Sequence, residues 1–238
     1  MEFAWYWKKS VTLTGILQNI VYRTIHIGKG HFAPLDSYGS DPEQIGFTIN
    51  IGGSPWGRPQ SYLSKKHYGN LKKQKSPPHA VPHLEKYYDT GTFLTEALTM
   101  EACDQIEKSV LEEYPFFLYL SHYAVHAPFD RDDRFVNNYD QSGKTERAKA
   151  FASLIEGVDK SLGDIIKKLK KCKIADNTLI FFLGDNGTDA PFGKSHEIAC
   201  ATLLRGKKGT HYEGGLRVPF FASWATLNQS NPLQKKFQ

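Results

Sequence analysis

Long apolar runs are what this sequence most lacks. No stretch approaches the roughly 18–20 consecutive apolar residues that a membrane-spanning helix needs, so no membrane span is expected. The first ten residues, MEFAWYWKKS, place their aromatics before Lys8 and Lys9. A secretory leader has the opposite order and a longer apolar core, so nothing in this chain directs export. Cysteine is scarce. Cys103, Cys172 and Cys200 lie far apart, and offer neither a CxxC metal pair nor an even-numbered disulfide framework. They are expected as free thiols. There is no internal repeat. Nucleic-acid signatures are absent too, although the net charge is +5 and the pI near 8.9. The lysines are scattered or sit at helix ends, as in Lys167-Lys168 and Lys170-Lys171, and read as solvated charge.

What is present is globular composition, 40% hydrophobic and 23% charged, over 238 residues. Residues 11–20 carry Leu13, Ile16, Leu17 and Ile20 at helical spacing, with Ser10 as a candidate N-cap. Tyr22 to Ile27 is a β-branched and aromatic run, hence a strand. Residues 32–91 are rich in Gly, Pro, Ser and Lys with weak periodicity, and read as a long excursion covering a site. Residues 92–111 are helical. Phe116 to Leu120 reads as a strand buried on both faces. A long amphipathic helix covers about 146–171, and its C-terminal lysines suit the negative end of the helix dipole. Thr178 to Leu183 reads as another buried strand, and Val218 to Ser223 as the last one.

Strands alternating with long helices predict an α/β fold with a largely parallel sheet flanked by helices. Residues 11–31 and 92–225 supply its core elements. Three of the strands end at once in polar residues: Lys29 and His31, then His122 and His126, then Asp185 and Asn186. Ligands of open α/β sheets bind outside the carboxyl ends of the strands, so these groups are expected at one sheet edge.

Each group has two readings. Asp185 and Asn186 offer neighbouring oxygens to a hard cation, but Asp-Asn-Gly is also strong turn chemistry. Lys29 and Lys208 are anion clamps or solvated charges. His126 is a general acid near neutral pH, or a loop histidine held by a hydrogen bond. Glu213 and Arg217 flank a Gly-Gly turn, as an internal ion pair holding the loop or as catalytic groups.

Four segments resemble the type I sulfatases of the alkaline-phosphatase-like superfamily. They are Tyr22-Arg23-Thr24 through Gly28-Lys29-Gly30-His31, Pro115 through His126-Ala127-Pro128-Phe129, Phe182-Leu183-Gly184-Asp185-Asn186-Gly187, and Leu204-Arg205-Gly206-Lys207-Lys208-Gly209-Thr210 through Arg217-Val218-Pro219. They occur in family order over about residues 11–225. The resemblance implies a sulfuric ester hydrolase acting on a sulfated small molecule or glycan. It implies Ca²⁺ bound by Asp185 and Asn186, and sulfate oxygens bound by Lys29 and Lys208. His126 would protonate the leaving oxygen, and His31 would hydrogen-bond the nucleophile. Such enzymes are usually periplasmic, secreted or lysosomal.

Two family features are missing. The paired aspartates of the family's first strand are absent. So is the Cys/Ser-x-Pro-x-Arg motif whose Cys or Ser becomes formylglycine, the nucleophile. Gly30 stands where a tryptophan is usual, and Lys207 where a glycine is usual. The expectation is a partial catalytic domain, truncated at both ends and inactive alone. The alternatives are a non-catalytic remnant that binds sulfated ligands, an interaction fragment, or a phosphoester hydrolase of the same superfamily.

Overall fold

The computed structural model describes residues 10–71, 78–190 and 203–235. Cys200 lies outside them, while Cys103 and Cys172 are free thiols as expected. Helix α1 runs Leu13–Asn19 and is capped by Thr12 rather than Ser10. The Thr12 Oγ1 accepts from the Gly15 N–H at 3.0 Å, which satisfies one of the unpaired donors of the first turn. Strand β1 follows at Arg23–Gly28, and is buried from Thr24 onward.

Residues 32–91 are expected as a loop excursion, yet they contribute to the sheet itself. They contain strand β2 (Ile49–Ile51), which pairs parallel with β1 in the register Ile25↔Ile49, His26↔Asn50 and Ile27↔Ile51. The rest of their described residues are mostly short turns, pinned by named bonds. Ser61 Oγ and the Tyr62 N–H both donate to Asp130 Oδ2, at 2.7 and 2.9 Å. Tyr62, Tyr68 and Tyr123 are fully enclosed, and each hydroxyl donates to a backbone carbonyl: His126, Thr92 and Gly52 respectively. An enclosed hydroxyl without a partner would cost about 1–3 kcal/mol.

Helix α2 (Leu94–Leu111) leads into β3 (Phe116–Ser121), which pairs parallel with β1 from Arg23↔Phe116 to Gly28↔Ser121. The sheet order is β2-β1-β3. Helix α3 spans Glu146–Lys171, with Thr145 as its cap. Strands β4 (Leu179–Leu183) and β5 (Phe220–Trp224), with the short helix α4 (Glu213–Leu216) between them, form an antiparallel pair. Strand β5 starts two residues after the expected Val218. Pro219 has no N–H to give a ladder and offers only its carbonyl, which accepts from Gly184 N. The chain divides into two compact units: Met1–Asp130 with Leu154–Ile165, and Arg131–Ser153 with Ile166–Gln238.

Two strands expected to be buried are not. Strand β3 is half-buried, with Tyr119 40% exposed, and in β4 Phe181 and Leu183 are 58% and 57% exposed. Strand β5 exposes Phe220 and Phe221, and α1 with its C-cap exposes Leu13, Ile16 and Ile20. These residues have the apolar pattern of buried elements, but no described element covers their faces. Exposed apolar side chains of this kind favour association. The isolated chain is therefore expected to bind 8-anilinonaphthalene-1-sulfonate at neutral pH, and to unfold over a broad, low-temperature range in calorimetry. A sharp, high-melting transition without dye binding would contradict this.

Candidate functional site

In the first unit the carboxyl ends of β1 and β3 lie side by side, because Gly28 pairs with Ser121. The Lys29 N–H donates to the Ser121 carbonyl at 2.7 Å, and Ser121 Oγ donates back to the Lys29 carbonyl at 2.6 Å. Behind this turn sits His26, with no exposed surface. Its Nε2 lies 3.2 Å from the Lys29 carbonyl and its Nδ1 lies 3.0 Å from Asn50 Oδ1. Phe32, Phe47 and Tyr119 pack around the ring. Burial pushes the His26 pKa down, and its contacts with Asn50 and Lys29 oppose that shift.

The next residues are fixed by the loop that follows β2. The His31 N–H donates to the Ser54 carbonyl at 2.9 Å. A Cβ on Gly30 would sit 2.8 Å from that same carbonyl oxygen and 2.9 Å from the Ser54 nitrogen. The position is therefore closed by backbone, and a side chain there would force the Ser54 loop to shift. The exposed His31 ring rests on Gly57, where a Cβ would come within 2.8 Å of it.

Beyond β3 the chain turns so that the His126 N–H donates to the Tyr123 carbonyl at 2.9 Å. His126 Nδ1 lies 2.9 Å from the Ala127 carbonyl. A carbonyl can only accept, so Nδ1 is the donor in this contact. This geometry leaves both readings of His126 open, since a bond at Nδ1 orients the ring for proton transfer at Nε2.

His122 has a different role. Its Nε2 lies 2.9 Å from Ser161 Oγ, and Thr99 Oγ1 lies 2.6 Å from the same oxygen. Its Nδ1 is buried without a partner, and burial lowers its pKa to about 4. His122 is thus a neutral imidazole at physiological pH. It fastens the start of the His126 loop to α2 and α3.

In the second unit, Asp185 and Asn186 are exposed at the end of β4. The Gly187 N–H donates to the Gly215 carbonyl at 2.9 Å, and a Cβ on Gly187 would sit 2.0 Å from the Gly214 carbonyl oxygen. The Lys208 N–H donates to the Thr188 carbonyl at 3.1 Å, so the Lys208 loop and the Asp185–Asn186 turn are joined through their backbones. Asn186 Nδ2 donates to the Gly187 carbonyl at 2.9 Å, and its side-chain oxygen remains a donor atom for a cation. No group of three or more His, Cys, Asp or Glu that could hold a metal occurs among the described residues. Two oxygens suit a hard cation such as Ca²⁺ but fall short of the six to eight that it takes. Glu213 and Arg217 form no side-chain ion pair. The Arg217 N–H donates instead to the Glu213 carbonyl at 2.8 Å, so backbone bonds hold this loop.

The residues legible from motifs were Lys29, His31, His126, Asp185, Asn186 and Lys208. His26, Asn50, Ser54 and Ser161 were missed as site-supporting residues. Their support depends on contacts between residues far apart in sequence, such as His26 with Asn50 and Ser161 with His122 and Thr99, which no local pattern reveals. Among the described residues, no helix is long and apolar enough to cross a membrane.

This arrangement has relatives. N-acetylgalactosamine-6-sulfatase of Sus scrofa is 34% identical over 131 residues, which is 55% of this chain and 24% of that protein. Arylsulfatase J of Mus musculus is 27% identical over 237 residues, 95% of this chain and 36% of that protein. The crystal structure of Ps i-CgsB in complex with k-i-k-neocarrahexaose superimposes with a TM-score of 0.70 at 29% identity, covering 89% of this chain and 46% of that one. The chain thus spans about a quarter to a half of the length of these relatives. The Sulfatase family model matches residues 7–237, nearly end to end, and the chain belongs to the sulfatase family.

Proposed function

We propose that this chain carries the anion-binding part of a sulfuric ester hydrolase site. Lys29 and Lys208 neutralise the sulfate oxygens. His126, protonated at Nε2, gives that proton to the departing alkoxide or phenoxide oxygen. His31 hydrogen-bonds the nucleophile. Cleavage of a sulfate ester places charge on the leaving oxygen and on the sulfuryl oxygens, and fixed cations and donors stabilise both. Asp185 and Asn186 would supply part of the coordination of a Ca²⁺ ion, whose charge would help to bind the sulfate. The substrate is a sulfated small molecule or glycan.

The observation that carries this reading is the Lys29 turn. Its carbonyl and its N–H are both tied to Ser121, and His26 backs it at the edge where His126 also emerges. A lysine serving only as solvated charge needs no such support. A second reading, binding without turnover, is favoured by the absence of any Cys/Ser-x-Pro-x-Arg sequence in the 238 residues.

The test is a calorimetric titration of the chain with sodium sulfate in the presence of Ca²⁺. Lys29→Ala and Lys208→Ala should each weaken binding about tenfold or more, the loss of one charge-assisted contact. Unchanged affinity in both variants would refute the assignment.

A further inference from the structure

The loop between β2 and α2 holds a group of side chains that the sulfate chemistry does not use. Trp56 and Arg58 flank Gly57, the residue on which the His31 ring rests. The Trp56 ring meets the His79 ring at 4.8 Å and 58°. His79 Nδ1 is buried without a partner, and the imidazole also hydrogen-bonds the Arg58 backbone. The carbonyl of His79 accepts from the Gln60 N–H at 2.7 Å, which clips the two stretches of loop together. His79 therefore acts as a wedge that fixes Trp56 and Arg58. Trp56 keeps part of its surface exposed, and Arg58 is exposed. Among the described residues Arg58 has no carboxylate partner, which sets it apart from Arg23, Arg131 and Arg134.

A braced, partly exposed indole and an exposed guanidinium that has no carboxylate partner among the described residues, placed beside a candidate sulfate-binding turn, are suited to a recognition face. The indole offers a flat apolar face with a single N–H donor, which suits the C–H face and hydroxyls of a pyranose ring. The guanidinium offers a planar fork of donors that matches a sulfate or carboxylate two atoms wide. We propose that Trp56 and Arg58, braced by His79, form a second subsite that binds the saccharide body of the substrate and an anionic group on it beyond the sulfate ester held at Lys29. The inference rests on the sulfate-binding reading of Lys29 and His31, and it adds the part of the ligand that decides specificity. A ligand with one sulfate and a small body gains nothing from this face. A disulfated disaccharide engages both ends.

The test compares inorganic sulfate, 4-nitrophenyl sulfate and a disulfated disaccharide as ligands of the full chain with Ca²⁺, by calorimetry and ligand-observed NMR. The disaccharide should bind more tightly than the two small probes. Trp56→Ala and Arg58→Gln should each weaken the disaccharide roughly tenfold, as expected of an aromatic or arginine anchor, and leave both small probes unchanged. Arg58→Gln should also erase the preference for the disulfated over the monosulfated disaccharide. Lys29→Ala should weaken all the sulfated ligands. Disaccharide affinity unaltered in both Trp56→Ala and Arg58→Gln would overturn the subsite and leave the sulfate reading standing. Failure of the unaltered chain to bind any of the probes would overturn both. Circular dichroism establishes that each variant is folded. Because Arg58 is exposed, Arg58→Gln keeps the test valid if Trp56→Ala does not fold.

Discussion

Acidification from pH 7 to pH 4 will destabilise the folded chain by roughly 3 kcal/mol through His122 alone. The imidazole is held at a pKa of about 4 by burial, against an ordinary value of 6.5. Above pH 6.5 it is neutral in the folded and the unfolded chain, so it contributes no pH dependence. Between pH 6.5 and about 4 the unfolded chain takes up a proton that the folded chain refuses, and stability falls across that window. Below about 4 both states are protonated and the loss is complete. His26 is shifted in the same direction, again chiefly by burial, and adds to the slope. Urea unfolding of the unaltered chain and of His122→Gln at pH 7 and pH 4 isolates the effect. The variant should be less stable at pH 7, since it disturbs the Ser161 contact, yet lose less stability on acidification. Equal losses in the two proteins would show that His122 does not remain neutral in the folded state.

The second large effect belongs to Gly28. A Cβ there would lie 2.0 Å from the Ser121 carbonyl oxygen, and the residue has a φ of +105°. That oxygen is the acceptor for the Lys29 N–H, so Gly28→Ala would both strain the backbone and break the contact that seats Lys29. The combined cost should exceed about 3 kcal/mol, because neither β1 nor β3 can move without breaking their ladder. Gly91→Ala is the control. Its φ is +82° but nothing lies within 4 Å of the added Cβ, so it should lose only about 1 kcal/mol. Unfolding free energies would measure the difference, and sulfate affinity should fall for Gly28→Ala but not for Gly91→Ala. A Gly28→Ala protein as stable as Gly91→Ala, with unaltered sulfate binding, would contradict the account of the turn.

The long elements were legible because their patterns are strong and local. The apolar stripe of α3 places that helix at Glu146–Lys171, matching the residues expected. Polar residues following strand after strand point to an edge site, and the structure does bring Lys29 and His31 next to the β3 terminus that leads to His126. Strand β2 was hidden because it has only three residues, and its place in the sheet comes from pairing with β1 rather than from its own sequence. Burial was misread for β4 because an apolar run reports what a strand could bury, and a face stays exposed where nothing covers it. Gly30 looked like a mild departure from its family. The Ser54 backbone instead closes the position to a side chain unless its loop shifts, and sequence spacing could not reveal a contact 24 residues away. The roles of His26 and His122 were invisible for the same reason, since burial and partners such as Asn50 and Ser161 are properties of the packed chain.

Incubation of the purified chain with 4-nitrophenyl sulfate, with Ca²⁺ and with a chelator, tests the central claim most directly. The account predicts saturable binding that Lys29→Ala weakens and no release of nitrophenolate under either condition, because the proposed anion site is accompanied by no Cys/Ser-x-Pro-x-Arg sequence in the 238 residues. Ca²⁺-dependent release of nitrophenolate by this chain alone would contradict it, as would the absence of any binding.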